Sequence, residues 1–182
     1  MTEVTASTKS VLCLCGSLRR VSANRAALEA AQLLAPASLR FDLYDGMSGL
    51  PLFDPDVETG PLPQTVREMR EAVGRADALL IACPEYAHGI PGAFKNLLDW
   101  LVGALEFPGK PVLLLNTSAR GSHHAQDALM EVLITMSARL LSPEPIPVRL
   151  SGAGCKMEAV LESEERRCEL QAALGCLVAE LP

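Results

Sequence analysis

No stretch of this 182-residue chain is apolar for long enough to cross a membrane as a helix. Its longest fully apolar runs, Ala78 to Cys83 and Val112 to Leu115, fall far short of the roughly 18 residues a spanning helix requires. Positive charge is not in excess either: 16 Lys and Arg face 22 Asp and Glu, a formal net charge of −6. An acidic average field repels phosphate backbones and anionic leaflets, so neither a nucleic-acid partner nor a membrane partner is expected. Met1 to Lys9 lacks the charged, apolar and cleavage regions of a secretory leader, which implies a cytoplasmic protein with a flexible segment over 1–9. Cys13-Leu14-Cys15 has no second Cys/His pair at zinc-site spacing, so no metal site is expected, and the six cysteines read as reduced thiols. On a strand Cys13 and Cys15 share one face, where they act as small core hydrophobes. The three histidines, His88, His123 and His124, show no spacing to a serine or cysteine nucleophile, which argues against a hydrolase.

What is present is a strand–helix alternation in a chain of about one domain's length, so a single domain over 1–182 is expected. Ser10 to Cys15 reads as a strand covered on both faces, followed by a tight turn and a helix from Ser22 to Ala35 that Pro36 stops. Leu39 to Tyr44 alternates, predicting a second strand with one face better exposed. Asp45 to Pro63 is dense in Gly and Pro and reads as one long functional loop before a helix over about 64–76. Ala78 to Cys83 is the third strand, Ala93 to about Leu101 a helix, Val112 to Asn116 the fourth strand and Ala125 to Leu141 a helix. A fifth strand spans Ile146 to Leu150, and a last helix runs to Leu181 with Ser163 as its N-cap. This order predicts an α/β, doubly wound, five-stranded parallel sheet with helices on both faces. Ligands in such sheets sit at the carboxyl ends of the strands, which singles out the loops 16–24, 45–63, 84–92 and 117–124.

Two of these loops carry chemistry. Gly16-Ser17-Leu18-Arg19-Arg20-Val21-Ser22-Ala23-Asn24 brings the hydroxyls of Ser17 and Ser22, the Asn24 amide, the Arg19 guanidinium and the N–H groups of a helix start together. With one glycine and no G-K-[ST], it is neither a dinucleotide fingerprint nor a Walker loop, and a phosphomonoester fits it best. Ser22 as a plain N-cap beside solvated arginines is the structural alternative. Pro84-Glu85-Tyr86-Ala87-His88-Gly89-Ile90-Pro91-Gly92 is a stiff backbone carrying one flat amphipathic ring, suited to a planar ligand. Lys95 and Asp99 read as a surface pair one turn apart, and Phe94, Leu97, Leu98 and Leu101 as core. Cys83, ending a buried strand, reads as core rather than as a redox thiol.

G-S-L-R-x-x-S-x-N paired with P-E-Y-A-H-G-I-P-G-A-F-K-N-L-L-D-W, with Leu50-Pro51-Leu52-Phe53-Asp54 and Ala76-Asp77 between them, resembles the NAD(P)H-dependent FMN reductase family over about Val11 to Pro143. The resemblance implies a flavodoxin-like fold with strand order 2-1-3-4-5 and non-covalently bound FMN. It places the phosphate at Ser17, Arg19, Ser22, Ala23 and Asn24, and the ring along Pro84, Glu85, Tyr86 and Ala87, with Ser118 in the fourth loop. It also implies NADPH or NADH as co-substrate, hydride transfer carried by the flavin with no catalytic side chain, a flavin, quinone or similar small acceptor, and a homodimer or homotetramer. Ala87 stands where the family usually has Asn, and Ser118-Ala119-Arg120-Gly121-Ser122-His123-His124 replaces a glycine-rich loop. Those departures keep open an alternative, a flavin-binding carrier or sensor without efficient NAD(P)H turnover. His123 and His124 read as neutral surface residues at a helix start, and His88 as a residue bordering the flavin's open face.

Overall fold

The computed structural model describes residues 8–150, 152 and 154–181. Its sheet is built from β1 (Lys9–Cys15), β2 (Leu39–Tyr44), β3 (Ala78–Ala82), β4 (Pro111–Ser118), β5 (Arg139–Leu140) and β6 (Ile146–Leu150). All pairings are parallel, in the order β2-β1-β3-β4-β5, with β6 also against β4. The helices are α1 (Ala23–Leu34), α2 (Pro55–Glu58), α3 (Gln64–Arg75), α4 (Gly92–Val102), α5 (His123–Thr135), α6 (Met157–Leu161) and α7 (Glu164–Glu180).

The side chains of β1 explain the two-faced layering. Val11, Cys13 and Cys15 enter the core under α1, α6 and α7, while Leu12 and Leu14 enter the one under α3, α4 and α5. Strands β3 and β4 divide their residues in the same way, which is why central strands read as continuous apolar runs. At the edge, β2 buries Leu39 and Phe41 and exposes Arg40 and Asp42, as its alternation predicts. Burial pushes the Cys13, Cys15 and Cys83 thiols up, so these buried groups stay neutral.

Several boundaries differ from the sequence expectation. Residues 1–7 of the expected flexible segment lie outside the described residues, and Lys9 opens β1 instead of preceding it. The fifth sheet position is filled by two pieces, β5 and β6, because Pro143 and Pro145 cannot continue a paired strand between them. The helix expected through Leu141 stops at Thr135, since Ser137 adopts φ +64° and the N–H of Ala138 turns back to the carbonyl of Leu133 at 2.9 Å. The loop over 45–63 contains a 3-10 turn (Gly46–Gly49) and α2, whose first turn Asp54 caps through Asp56 N–H at 2.8 Å. Helix α6 has no counterpart in the sequence expectation. Ser163 does cap α7, accepting from the N–H of Arg166.

Candidate functional site

Strands β1, β3 and β4 end side by side, and the first loop is tied to that edge at once: Gly16 N–H donates to the carbonyl of Ala82 at 2.9 Å. A Cβ on Gly16 would meet Cys83 Sγ at 2.7 Å and its Cα at 3.0 Å, so only glycine lets the two strand ends approach this closely. Beyond it, Ser17, Ser22 and Asn24 are buried, while Leu18, Arg19, Arg20 and Val21 are exposed. Ser17 Oγ accepts from the N–H of Arg19 at 3.3 Å, which curls the loop back on itself. Ser22 occupies the N-cap position of α1, yet its side chain makes no capping hydrogen bond. Its hydroxyl lies instead against the Cys15 thiol.

The first turn of α1 therefore presents backbone donors without a side-chain cap, and it holds no acidic residue. The guanidiniums of Arg19 and Arg20 form no ion pair among the described residues, whereas Arg25 is committed to Glu29 at 2.8 Å and Asp45 at 2.6 Å. Uncapped N–H groups, two buried hydroxyls and an uncommitted guanidinium match a multi-oxygen anion such as the phosphate of FMN. The Asn24 side chain also has a partner across the edge. Its Oδ1 accepts from Thr117 Oγ1 at 2.9 Å, joining α1 to the end of β4 across the sheet edge.

The third loop closes as a two-residue turn: Tyr86 N–H donates to Gly89 O at 3.1 Å and Gly89 N–H to Tyr86 O at 3.0 Å. Ala87 and His88 between them have φ of +49° and +59°, the left-handed pair such a turn demands. Alanine is a poor residue there. Ala87→Gly should raise the unfolding free energy by about 1 kcal/mol, read by urea denaturation, because the left-handed penalty disappears. Tyr86 stays half exposed at 49%, leaving its ring available to a ligand.

The Glu85 carboxylate bridges the turn and α5. Ala125 N–H, in the first turn of α5, donates to Glu85 Oε2 at 3.0 Å, while Oε1 lies 3.3 Å from His88 Nδ1. Ser122 precedes α5 with φ +47° and makes no capping bond, so Glu85 caps that helix from another loop. The Ala125 N–H bond holds the Glu85 carboxyl below its ordinary value of 4.5; it outweighs the upward push of burial, and His124, His88 and His123 add to the lowering. The sign of the pH effect follows. A depressed folded value contributes stability that is complete above pH 4.5 and is lost as pH falls through the folded value. Glu85→Gln should flatten the fall of the urea midpoint as pH drops below 4.5, and an unchanged slope would count against this cap.

His88 packs edge-on against His124, ring centroids 4.5 Å apart, and His124 lies 4.1 Å from His123. Sequence spacing did not foresee that these histidines would join the two loops. Among the described residues no group of His, Cys, Asp and Glu is arranged to hold a metal ion. In the fourth loop, Ser118 Oγ accepts from Arg120 N–H at 3.2 Å, and the Asn116 amide spans the loop by donating to Gly121 O while accepting from Ser118 N–H. Asn116, Thr117 and Gln126, whose Nε2 donates to Cys83 O at 3.1 Å, all brace this edge. Thr117 and Gln126 were not singled out in the sequence, because their partners lie 93 and 43 residues away along the chain, whereas Asn116 bonds within its own loop.

The long second loop is clamped to α4. Asn96 accepts from Phe53 N–H at 2.8 Å and donates to Pro51 O at 2.9 Å, and Trp100 Nε1–H donates to the same carbonyl at 2.8 Å. Lys95 and Asp99 pair one turn apart, as their spacing predicts.

Compared with known proteins, residues 10–146 match the family described as NADPH-dependent FMN reductase, three quarters of the chain. The chain belongs to that family. An NAD(P)H-dependent FMN reductase of Pseudomonas aeruginosa is 38% identical over 142 residues, 76% of either chain. A quinone reductase of Escherichia coli strain K12 is 34% identical over 137 residues, 72% of this chain and 73% of that one. Among solved structures, the flavoenzyme NAD(P)H:(acceptor) oxidoreductase FerB of Paracoccus denitrificans superposes with a TM-score of 0.73 at 26% identity, covering 94% of this chain and 98% of its own. The sheet order and two helix layers of this family member are thus those of a flavodoxin-like fold. Both loops bearing the family resemblance lie at the carboxyl edge of that sheet.

Proposed function

We propose that this member of the NADPH-dependent FMN reductase family is an oxidoreductase that holds FMN across the ends of β1, β3 and β4, is reduced by NADPH or NADH, and reduces a quinone, free flavin or similar small acceptor. The observation that carries the reading is the donor set at the start of α1: uncapped N–H groups beside buried Ser17 and Ser22 and beside Arg19, which has no ion-pair partner among the described residues. FMN, when bound, supplies the hydride and electron chemistry that no amino-acid side chain offers. Ser17, Arg19, Ser22 and the N–H groups of Ala23 and Asn24 hold its phosphate. Pro84, Glu85, Tyr86 and Ala87 line the ring with their backbone, so Ala87 costs a side-chain amide and no main-chain contact. Ser118, in the fourth loop, completes the set. The turn at Ala87-His88 and the Glu85 cap on α5 fix the distance between the two loops before any ligand arrives, which reduces the ordering cost of binding.

A homodimer or homotetramer is part of the same reading, supported by the exposed apolar side chains of Leu52, Val102, Leu105 and Ile134. A cytoplasmic location accords with neutral buried thiols. The test is direct. Purified protein reconstituted with FMN should be yellow and should bleach under anaerobic NADPH or NADH. Bound flavin that neither nucleotide bleaches would turn the assignment to a flavin carrier or sensor, and a protein that cannot take up FMN would end both.

A further inference from the structure

Reduction of a quinone to a hydroquinone consumes two electrons and two hydrogens, of which a hydride brings one, and the second must arrive as a proton. The function proposed above assigns no residue to that proton. One cluster of titratable groups beside the third loop is unused: Glu85, His88, His123 and His124. We propose that His88 is a catalytic residue of the acceptor half-reaction, giving its Nε2 proton to the quinone oxygen, and that Glu85 is the residue that positions it. This rests on the reading of the protein as an FMN-dependent reductase.

The geometry supports it in three ways. Glu85 is itself immobilised, with Oε2 taken by Ala125 N–H at 3.0 Å, and its remaining oxygen faces His88 Nδ1 at 3.3 Å. Anchoring one ring nitrogen on a fixed carboxylate leaves Nε2 as the nitrogen available for proton transfer. His124, edge-on at 4.5 Å, restricts the swing of the His88 ring, while a side chain 76% exposed remains open to an acceptor arriving from solvent. In the proposed reading the turn that carries His88 lines the flavin, which puts the imidazole at the rim of the ring's site. The titratable groups facing it are Glu85 on its own loop and His124, with His123 behind it, on α5.

The step balances. The quinone would take a hydride from the reduced cofactor and the Nε2 proton of the doubly protonated His88 imidazolium, becoming hydroquinone. The imidazole left behind carries its hydrogen on Nδ1, toward Glu85, and recovers its proton from water. Ferricyanide accepts electrons without any proton, which separates this step from all others. FMN-loaded protein, reduced anaerobically, is mixed in a stopped-flow instrument with 1,4-benzoquinone or with ferricyanide. In His88→Gln the ratio of quinone to ferricyanide rates should fall on the order of a hundredfold, and the quinone rate should lose its decline with rising pH. An unchanged ratio overturns the proposal.

Long-range proton–nitrogen spectra of the protein without FMN give a second reading. Neutral His88 should carry its hydrogen on Nδ1, and Glu85→Gln should abolish that preference. The same tautomer in both proteins would refute the positioning role. Failure of the wild type to bind FMN, or to be bleached by NADPH or NADH, overturns the parent reading and this one with it. Loss of the histidine effect alone overturns only this one.

Discussion

Replacing Trp100 with alanine is expected to lower the unfolding free energy by about 3–5 kcal/mol, the largest effect of any substitution considered for this chain. Trp100 is fully buried in the core beneath α3, α4 and α5, and Phe53 meets its ring edge-on with centroids 5.0 Å apart. The transfer of so large a side chain to solvent and the cavity it leaves both oppose folding. Against a total stability of roughly 5–15 kcal/mol, that loss would shift thermal unfolding down by on the order of 10 °C. Trp100→Phe separates packing from hydrogen bonding. It keeps most of the buried area and removes the Nε1–H bond to Pro51 O, a carbonyl that Asn96 still satisfies, together with a small part of the buried ring volume, so about 1–2 kcal/mol should be lost. Calorimetry on both variants checks the ordering. Equal losses would mean that the clamp on the second loop, not the core, dominates.

Arg19→Ala should weaken FMN binding by about 1.5–3 kcal/mol, roughly 10- to 150-fold in Kd, measured by quenching of flavin fluorescence. The side chain is exposed and forms no ion pair among the described residues, so removing it costs the fold little and takes a charge-assisted bond from the phosphate. Arg19→Lys should recover part of the loss, since it restores the charge without the planar fork. Added salt should weaken the wild type more than the alanine variant, because the charge removed is the one that salt screens. An alanine variant with unaltered affinity would take Arg19 out of the site and leave the phosphate to Ser17, Ser22 and the start of α1.

How much of this was legible in the chain depends on the reach of each interaction. Strands β1, β3 and β4 were readable because both faces of a central strand are buried, which writes an unbroken apolar run into the sequence. The position of the loop proposed for the phosphate was readable because its donors lie within nine consecutive residues that a strand and a helix must place at one sheet edge. The Lys95–Asp99 pair and the Ser163 cap were readable for the same local reason. The end of α5 was not, since Ser137 in a left-handed turn leaves no glycine to mark it. Nor was the second loop, whose shape is set by Asn96 and Trp100 more than 40 residues away.

The sequence by itself determined the layered α/β order, the two loops at the carboxyl edge of the sheet and the family, because hydrophobic period and short-range donor spacing survive in one dimension. Only the tertiary structure decided that Glu85 caps α5, that Asn24 is shared with Thr117, and that His88 meets His124. Those contacts join segments from 36 to 93 positions apart, and no local rule of spacing encodes them. They form because parallel strands β3 and β4 deliver their following loops to the same edge, where unsatisfied helix N–H groups and uncompensated carboxylates find each other.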